Sequence, residues 1–373
     1  MSTATAAAPA ADTKSTSNLR VSEFTPLPTP SELLAELPLD ARAADVVERG
    51  RDEVRAIMDG VDDRLLVIVG PCSIHDPKAG LEYARRLVSQ AEKHKEDLLI
   101  VMRTYFEKPR TTVGWKGLIN DPRLDGSHDM VTGLRTARKF LQEVTALGLP
   151  TATEFLEPIS PQYMADLISW GAIGARTTES QIHRQLASGL SMPIGFKNGT
   201  DGSLQVAIDA CGAAAAAQAF LGIDGEGRAA LVATAGNPDT HVILRGGRKG
   251  PNYSAADVER ASSELAGKGL NPRLIVDASH ANSGKSHHRQ AEVALEIGAQ
   301  LEDGGTAARA VAGVMLESFL MGGAQNLDVA EHAAGRSDLA YGQSVTDACM
   351  DWEVSASVLE QLAASSRKRR QSK

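Results

Sequence analysis

The sequence predicts an α/β chain closed into a (β/α)8 TIM barrel, with an N-terminal extension and an inserted β-hairpin. Three observations carry this expectation. Eight short runs are apolar without polar alternation, amphipathic helical stretches lie between most of them, and a charged or metal-ligating residue stands at the exit of each run. A strand that is apolar at every position is buried on both faces, as in a parallel sheet covered by helices. Chemistry gathered at strand exits suits a barrel, whose working end is its C-terminal rim. An open doubly wound sheet shares the alternation, but the G-x-G-x-x-G turn of its dinucleotide-binding form is absent.

The first strand, Leu65–Val69, is ended by Gly70-Pro71 and followed by helical periodicity over Leu81–Lys95. Leu98–Met102 repeats the strand signal and Val131–Leu147 the helical one. Further strands are expected at Thr151–Phe155, Ala172–Arg176, Pro193–Lys197, His241–Arg245, Arg273–Asp277 and Ala312–Glu317. Between them, helices are expected over Pro161–Trp170, Glu179–Leu190, Ser203–Phe220, Ala255–Gly267 and His288–Glu302, with a last one over Val354–Ser365. Two further segments, Phe220–Ile223 and Arg228–Thr234, flank Asp224-Gly225-Glu226-Gly227; this is a hairpin signal, placing an insert at about 220–240. Ahead of the barrel, which spans 61–365, an extension over 21–60 reads as two helices, Ser31–Leu37 and Ala41–Asp59. Residues 1–20 are rich in Ala, Ser and Thr and are expected to be a disordered tail. The segment 366–373, carrying Arg367, Lys368, Arg369, Arg370 and Lys373, is expected to be a solvated basic tail.

Composition excludes several classes. The 373 residues carry 39 Lys+Arg against 47 Asp+Glu, a net charge of −8, which argues against a generic nucleic-acid binder. An anionic ligand must then be held by a local cluster of cations. Apolar runs fall short of the roughly 18 residues a membrane span needs. Three cysteines, an odd number in a long chain, exclude a disulfide scaffold and fit a reducing, cytoplasmic setting.

The strand exits present Cys72, Arg103, Glu154, Arg176, Lys197, Arg245, His280 and Glu317, which sort into two chemical sets. Arg103, Arg176, Lys197 and Arg245, joined by Lys108 and Arg110 in the second loop, are cationic. At an effective dielectric of ~20, two such charges ~4 Å apart repel by about 4 kcal/mol. Bound phosphates or carboxylates reverse that sign, and the guanidinium fork matches their geometry. The second set, Cys72, His280, Glu317 and the later Asp347, joins a thiolate, an imidazole and two carboxylates, a donor set for one divalent ion of the Mn, Fe, Co or Zn class. The segment Ser279–Ser286 ends like a phosphate-binding loop but has Ser279 where that motif needs glycine, so it reads as a βα loop. His183, His287 and His288 fall on or beside predicted helices and are given no catalytic role.

On these residues the chain resembles the type I 3-deoxy-D-arabino-heptulosonate 7-phosphate (DAHP) synthases. The resemblance is carried by Gly70-Pro71-Cys72-Ser73-Ile74-His75-Asp76, by Arg103-Thr104-Tyr105-Phe106-Glu107-Lys108-Pro109-Arg110-Thr111-Thr112 and by Gly174-Ala175-Arg176-Thr177-Thr178-Glu179-Ser180. It continues through Gly195–Gly199, Leu244–Gly247, Asp277–Asn282, Met315–Ser318 and Ser344–Cys349, covering about residues 20–360. The Lys-Pro-Arg-Thr-Thr loop resembles these enzymes rather than the sister family that makes octulosonate 8-phosphate from arabinose 5-phosphate.

The resemblance implies condensation of phosphoenolpyruvate with erythrose 4-phosphate, releasing phosphate, as the first step of the shikimate pathway. It implies metal ligands at Cys72, His280, Glu317 and Asp347, and phosphoenolpyruvate contacts at Arg103, Lys108, Ala175, Arg176, Lys197 and Arg245. Sugar-phosphate contacts are implied at Lys108, Pro109, Arg110, Thr111 and Asp347, and Lys108, Glu154 and a metal-bound water are the candidates for moving protons. Extension and hairpin are implied to build a feedback pocket for an aromatic amino acid across the interface of a homodimer or homotetramer, with Pro161, Gln162, Ser191, Phe220 and Gly222 as its residues. Gly222 resembles the tyrosine-sensitive members, which favours tyrosine as effector. Membrane and nucleic-acid partners are not expected. Two rivals stay open: an octulosonate synthase, and a non-catalytic sugar-phosphate sensor on the same fold. Cys349, two residues past Asp347, is placed to meet Cys72 on oxidation.

Overall fold

In the computed structural model, which describes residues 16–336 and 338–371, the eight apolar runs form one closed parallel barrel. In chain order the strands are β1 (Leu65–Gly70), β2 (Leu98–Arg103), β3 (Thr151–Glu154), β4 (Trp170–Ile173), β5 (Ile194–Lys197), β6 (Ala219–Ile223), β7 (Ala229–Ala233), β8 (Thr240–Leu244), β9 (Leu274–Asp277) and β10 (Val311–Glu317). The barrel order is β1-β2-β3-β4-β5-β8-β9-β10, closing on β1, while β6 and β7 pair antiparallel as the expected hairpin. All barrel strands are buried along their length, which is why their sequences lack alternation.

Alternation exists all the same, in direction rather than polarity. Side chains of a strand point to opposite faces in turn. Leu66, Ile68, Leu99, Val101, Ala152, Ala172, Ile243, Ile275 and Met315 fill the barrel interior, and their intervening neighbours pack outward under the helices. Two residues past an inward position lies another inward position, at the C-terminal rim. Arg103, Glu154, Lys197, Arg245, Asp277 and Glu317 each stand in that phase. The site is therefore the top layer of the barrel's own packing.

The lower end of the barrel is closed by the extension. Helix Ala41–Met58, capped at its N-terminus by the Asp40 carboxylate accepting from Ala43 N, sends Val54, Ile57 and Met58 into the interior cluster beside Trp170. Gly195 makes room for that tryptophan, since a Cβ there would lie 2.8 Å from Trp170 Cζ2, and Gly171 makes room for Ile194, whose Cδ1 would lie 2.5 Å from a Cβ on it.

Three expectations are corrected. The helix expected over Pro161–Trp170 is a single turn, Pro161–Met164, with a 3-10 turn Ala165–Leu167, because Trp170 opens β4 and pairs with β3. The helix expected to reach Phe220 stops at Ala215, leaving Phe220 in β6. The basic segment 366–373 is not a solvated tail as far as it is described: the last helix runs Trp352–Gln371, and Ser366 and Arg369 are buried. Arg369 donates to the carbonyls of Asp63, Arg64, Ala308 and Val311, and Arg367 and Arg370 both grip the Asp97 carboxylate. Of the N-terminal tail, residues 1–15 lie outside the described residues, and 16–20 are exposed.

Candidate active site

The C-terminal rim surrounds a cleft of ≈ 270 Å³ lined by Lys108, Pro109, Arg110, Thr111, Glu154, Ala175, Arg176, Lys197, Arg245, His280 and Asp347, among others. All eleven are residues that the sequence marks as substrate-binding, catalytic or metal-ligating, His280 being expected in both of the last two roles, and a single opening collects them. Arg103 lies in the floor, fully buried. Its Nη2 donates to Glu317 Oε1 at 3.1 Å, its Nη1 to Met315 Sδ at 2.9 Å, and its guanidinium sits 3.9 Å from the centre of the Tyr105 ring. Burial alone would lower its pKa, but Tyr105, Glu317 and Cys72 together raise it, so it stays a cation. Arg176 and Arg245 hold the opposite wall: Arg176 reaches Pro109 O at 3.5 Å, and Asn198 Oδ1 accepts from Arg245 N at 2.8 Å.

Glu154 owes its place to a missing side chain. A Cβ on Gly174 would stand 2.3 Å from Glu154 Oε1, so only glycine leaves the carboxylate room. Lys197 Nζ lies 3.8 Å from Glu154 Oε2 and 3.3 Å from Asp277 Oδ2, both buried.

The residues expected to ligate a metal also lie close together. Donor atoms of Cys72, Glu317 and Asp347 all lie within 4.8 Å of one another. His280 adjoins this group through Glu317, with Nε2 3.9 Å from Oε1. A sulfur, an imidazole nitrogen and two carboxylates at this spacing suit a borderline divalent ion. Burial and the Glu317 charge push the Cys72 thiol up. Lys108 Nζ lies 3.2 Å from Cys72 Sγ; burial would lower its pKa, but Cys72, Glu317 and Glu154 raise it. Burial acts against the Asp347 carboxylate, yet Lys108, His280 and Lys285 hold it below its ordinary range. Cys349 Sγ accepts from Cys72 N at 3.4 Å, and all three cysteines are free thiols.

The two sets are not separate. Lys197, Asp277, His280, Glu317 and Arg103 follow one another as neighbouring polar side chains from one side of the floor to the other. The sequence pattern points past Asp277, a fully buried residue, to His280 as the exit of its strand. Inward parity from Ile275 would have found it. It also passed over Tyr105, the platform beneath Arg103.

Beneath the loop that carries Lys108 and Arg110, Glu107 is buried and accepts from Ser160 Oγ at 2.9 Å and Glu157 N at 3.2 Å. Burial raises its pKa to about 8. A carboxyl with a raised folded-state value is protonated in the native state and ionised in the unfolded one between pH ~4.5 and ~8, so stability falls as pH rises through that window. Glu107→Gln removes the slope. The loss of unfolding free energy between pH 5 and pH 8.5, measured by denaturant titration, should shrink by about 3 kcal/mol.

The proposed feedback residues lie away from the cleft. Pro161 and Gln162 open the short helix after β3, Ser191 precedes β5, and Phe220 and Gly222 are on the half-buried face of the hairpin with Val232. The N-terminal extension touches both regions: Ser31 N donates to Gly225 O at the hairpin tip, and Tyr163 Oη to Pro28 O. On the other hairpin face Leu221 and Leu231 are paired and exposed, at 92% and 74%. No helix among the described residues is long and apolar enough to cross a membrane.

Comparison with known proteins agrees with this geometry. The family model described as the DAHP synthetase I family matches residues 38–360. A phospho-2-dehydro-3-deoxyheptonate aldolase of Corynebacterium glutamicum is 57% identical over 357 residues, 95% of this chain and 96% of that one. The Tyr-sensitive phospho-2-dehydro-3-deoxyheptonate aldolase of Escherichia coli is 52% identical, over 92% of this chain and 94% of that one. A solved structure of a phospho-2-dehydro-3-deoxyheptonate aldolase from Francisella tularensis superposes with a TM-score of 0.89 at 47% identity, covering 94% of this chain and 99% of that chain.

Proposed function

The chain belongs to the DAHP synthetase I family, and we propose on that premise how its own residues divide the work. The reaction condenses phosphoenolpyruvate with erythrose 4-phosphate and water to 3-deoxy-D-arabino-heptulosonate 7-phosphate and phosphate, the first step of the shikimate pathway. The enzyme is a transferase, with feedback sensitivity to an aromatic amino acid.

Arg103, Lys108, Arg176, Lys197 and Arg245, with the Ala175 backbone, hold the phosphate and carboxylate of phosphoenolpyruvate. Lys108, Pro109, Arg110, Thr111 and Asp347 hold the sugar phosphate nearer the mouth. Supporting this division, Arg103 and Lys197 are buried in the floor while Arg110 and Thr111 are exposed at the rim. Fixing two anions against their mutual repulsion is the main service of the cations. Cys72, His280, Glu317 and Asp347 would hold one divalent ion, which when bound acts as a Lewis acid toward the aldehyde oxygen. The methylene carbon of phosphoenolpyruvate then bonds to the aldehyde carbon, water adds at the adjacent alkene carbon, and phosphate leaves with the bridging oxygen as that carbon's C–O bond breaks, the added hydroxyl becoming the ketone and its proton leaving with the phosphate. Glu154, 3.8 Å from the Lys197 ammonium, is placed to take the proton of the adding water. Lys108, kept cationic by its neighbours, is placed to supply a proton to the new alkoxide.

The observation that carries this reading is the shared floor, where a residue of the cation set, Arg103, is bonded to one of the metal set, Glu317. The test offers phosphoenolpyruvate with erythrose 4-phosphate or arabinose 5-phosphate, with and without chelator, and measures phosphate release. Release is expected with erythrose 4-phosphate alone, lost on chelation and restored by added metal. Release only with the pentose phosphate would make it an octulosonate synthase, and binding without release a sensor.

Tyrosine is the favoured effector, in a pocket built from Pro161, Gln162, Ser191, Phe220 and Gly222. Support comes from Gly222 and from the tyrosine sensitivity named for the E. coli relative. A Cβ on Gly222 would lie 2.7 Å from Val232 Cγ2, so Gly222→Ser must displace Val232, the strand partner of Phe220. Tyrosine inhibition of that variant should weaken by about tenfold, a cost of ~1.4 kcal/mol, in inhibition titrations at fixed substrate; an unchanged inhibition constant would count against the pocket. The exposed Leu221–Leu231 pair and Phe24 are apolar surface that a second copy would cover, in keeping with a homodimer or homotetramer. A cytoplasmic setting fits the three free thiols.

A further inference from the structure

Asp277 ends β9 on its inward face and is fully buried beneath both halves of the site. Its Oδ1 accepts two bonds from Ser279, one from N at 2.9 Å and one from Oγ at 2.5 Å. A carboxylate has no hydrogen to give, so the single hydroxyl hydrogen of Ser279 is spent on Asp277. Ser279 Oγ, 2.7 Å from His280 Nδ1, can then only accept, and Nδ1 must carry the ring's hydrogen. Asp277 Oδ2, 2.9 Å from the same Nδ1, is a second negative neighbour that favours that hydrogen. This leaves the lone pair on Nε2, the nitrogen that faces Glu317 at 3.9 Å. The same Oδ2 lies 3.3 Å from Lys197 Nζ.

His280 is held there against local backbone preference. Its φ of 55° is in the left-handed region, and Lys285 N donates to its carbonyl at 2.7 Å while Asn282 Nδ2 donates to Asp277 O at 2.8 Å. The loop is shaped to bring one ring nitrogen to Asp277 and Ser279 and the other to the ligand group.

We propose that Asp277 is a positioning residue that, with Ser279, fixes the tautomer and direction of His280 so that Nε2 is free to ligate the metal, and that anchors Lys197 through the same carboxylate. This rests on the metal-ligand reading given above. Carboxylates behind a metal-binding histidine hold its orientation and raise its basicity, and their loss typically weakens metal binding by about 10- to 100-fold.

The experiment titrates metal-free full-length protein with Co(II), following the thiolate-to-cobalt absorption band and the binding heat, for wild type, Asp277→Asn and Ser279→Ala. An asparagine can turn its NH2 toward Nδ1 and so favours the wrong tautomer. Asp277→Asn should bind Co(II) about 10- to 100-fold more weakly than wild type, and its turnover should recover substantially at saturating metal. Ser279→Ala keeps the direct Asp277–His280 contact and should lose about threefold to tenfold, below the Asp277 variant. Equal Co(II) affinity in Asp277→Asn and wild type overturns the proposal. If Asp277→Asn does not fold, unchanged affinity in Ser279→Ala overturns it, and weakened affinity supports it. Wild-type protein that takes up no Co(II) at all would instead remove the metal-ligand reading, and this proposal with it.

Discussion

Cys72→Ala protein is expected to lose bound metal and turnover together while keeping its fold. Turnover should fall by about 10³-fold or more, which corresponds to the several kcal/mol that a Lewis acid contributes to such a step. The reason is the donor set: Cys72 is its one sulfur, and without that thiolate only His280, Glu317 and Asp347 remain to hold a borderline ion. The fold should survive because truncation removes a single buried atom. Lys108 keeps its 3.2 Å contact to the Cys72 carbonyl, and although Cys72 belongs to the buried core, the space left by one sulfur is small. Metal content by elemental analysis, steady-state phosphate release and thermal melting would be measured on one preparation. Full activity in the variant, or in metal-stripped wild type, would sink the assignment.

Arg103→Ala should damage stability and substrate affinity at once. Arg103 is the partner of a buried carboxylate, with 0% and 2% exposure for the two side chains. Removing one member of a buried pair leaves an uncompensated charge and costs about 3–5 kcal/mol. It also takes away a cation from the floor of the proposed phosphoenolpyruvate site, so kcat/KM should fall by about 10³-fold, carried mainly by KM for phosphoenolpyruvate. Arg103→Lys separates the two effects. It restores a charge opposite Glu317 but not the guanidinium plane over Tyr105, so denaturation should recover toward wild type while KM stays raised. A wild-type KM in Arg103→Ala would remove Arg103 from the site.

Much of the fold and of the site was legible because barrels write their chemistry at strand exits. The eight apolar runs, the hairpin around Asp224-Gly225-Glu226-Gly227 and the cations of the rim all stand in the chain as local patterns. Where local reading failed, a distant partner was responsible. The apolar spacing of Leu167, Ile168 and Trp170 looks helical, but Trp170 is a strand residue because β3 and β5 flank its strand and Gly195 gives its ring space. A run of arginines near the C-terminus looks solvated, but Arg369 finds four carbonyls at the lower rim of the barrel, contributed by segments some 60 and 300 residues away in the chain.

By itself, then, the sequence determined the number of strands, their burial and the inventory of charged groups at the rim. Those follow from hydrophobic pattern and residue type, which are local. What only the tertiary structure decided is how the inventory is wired. Closure of the sheet brings β10 beside β1, so that Glu317 faces Cys72 and, across the floor, Arg103. Strand pleating, which reverses direction at every residue, then selects Asp277 and not its neighbours to stand between Lys197 and His280. Pairing and pleat set distances between residues far apart in the chain, and a charge interaction depends on that distance rather than on the order of the letters.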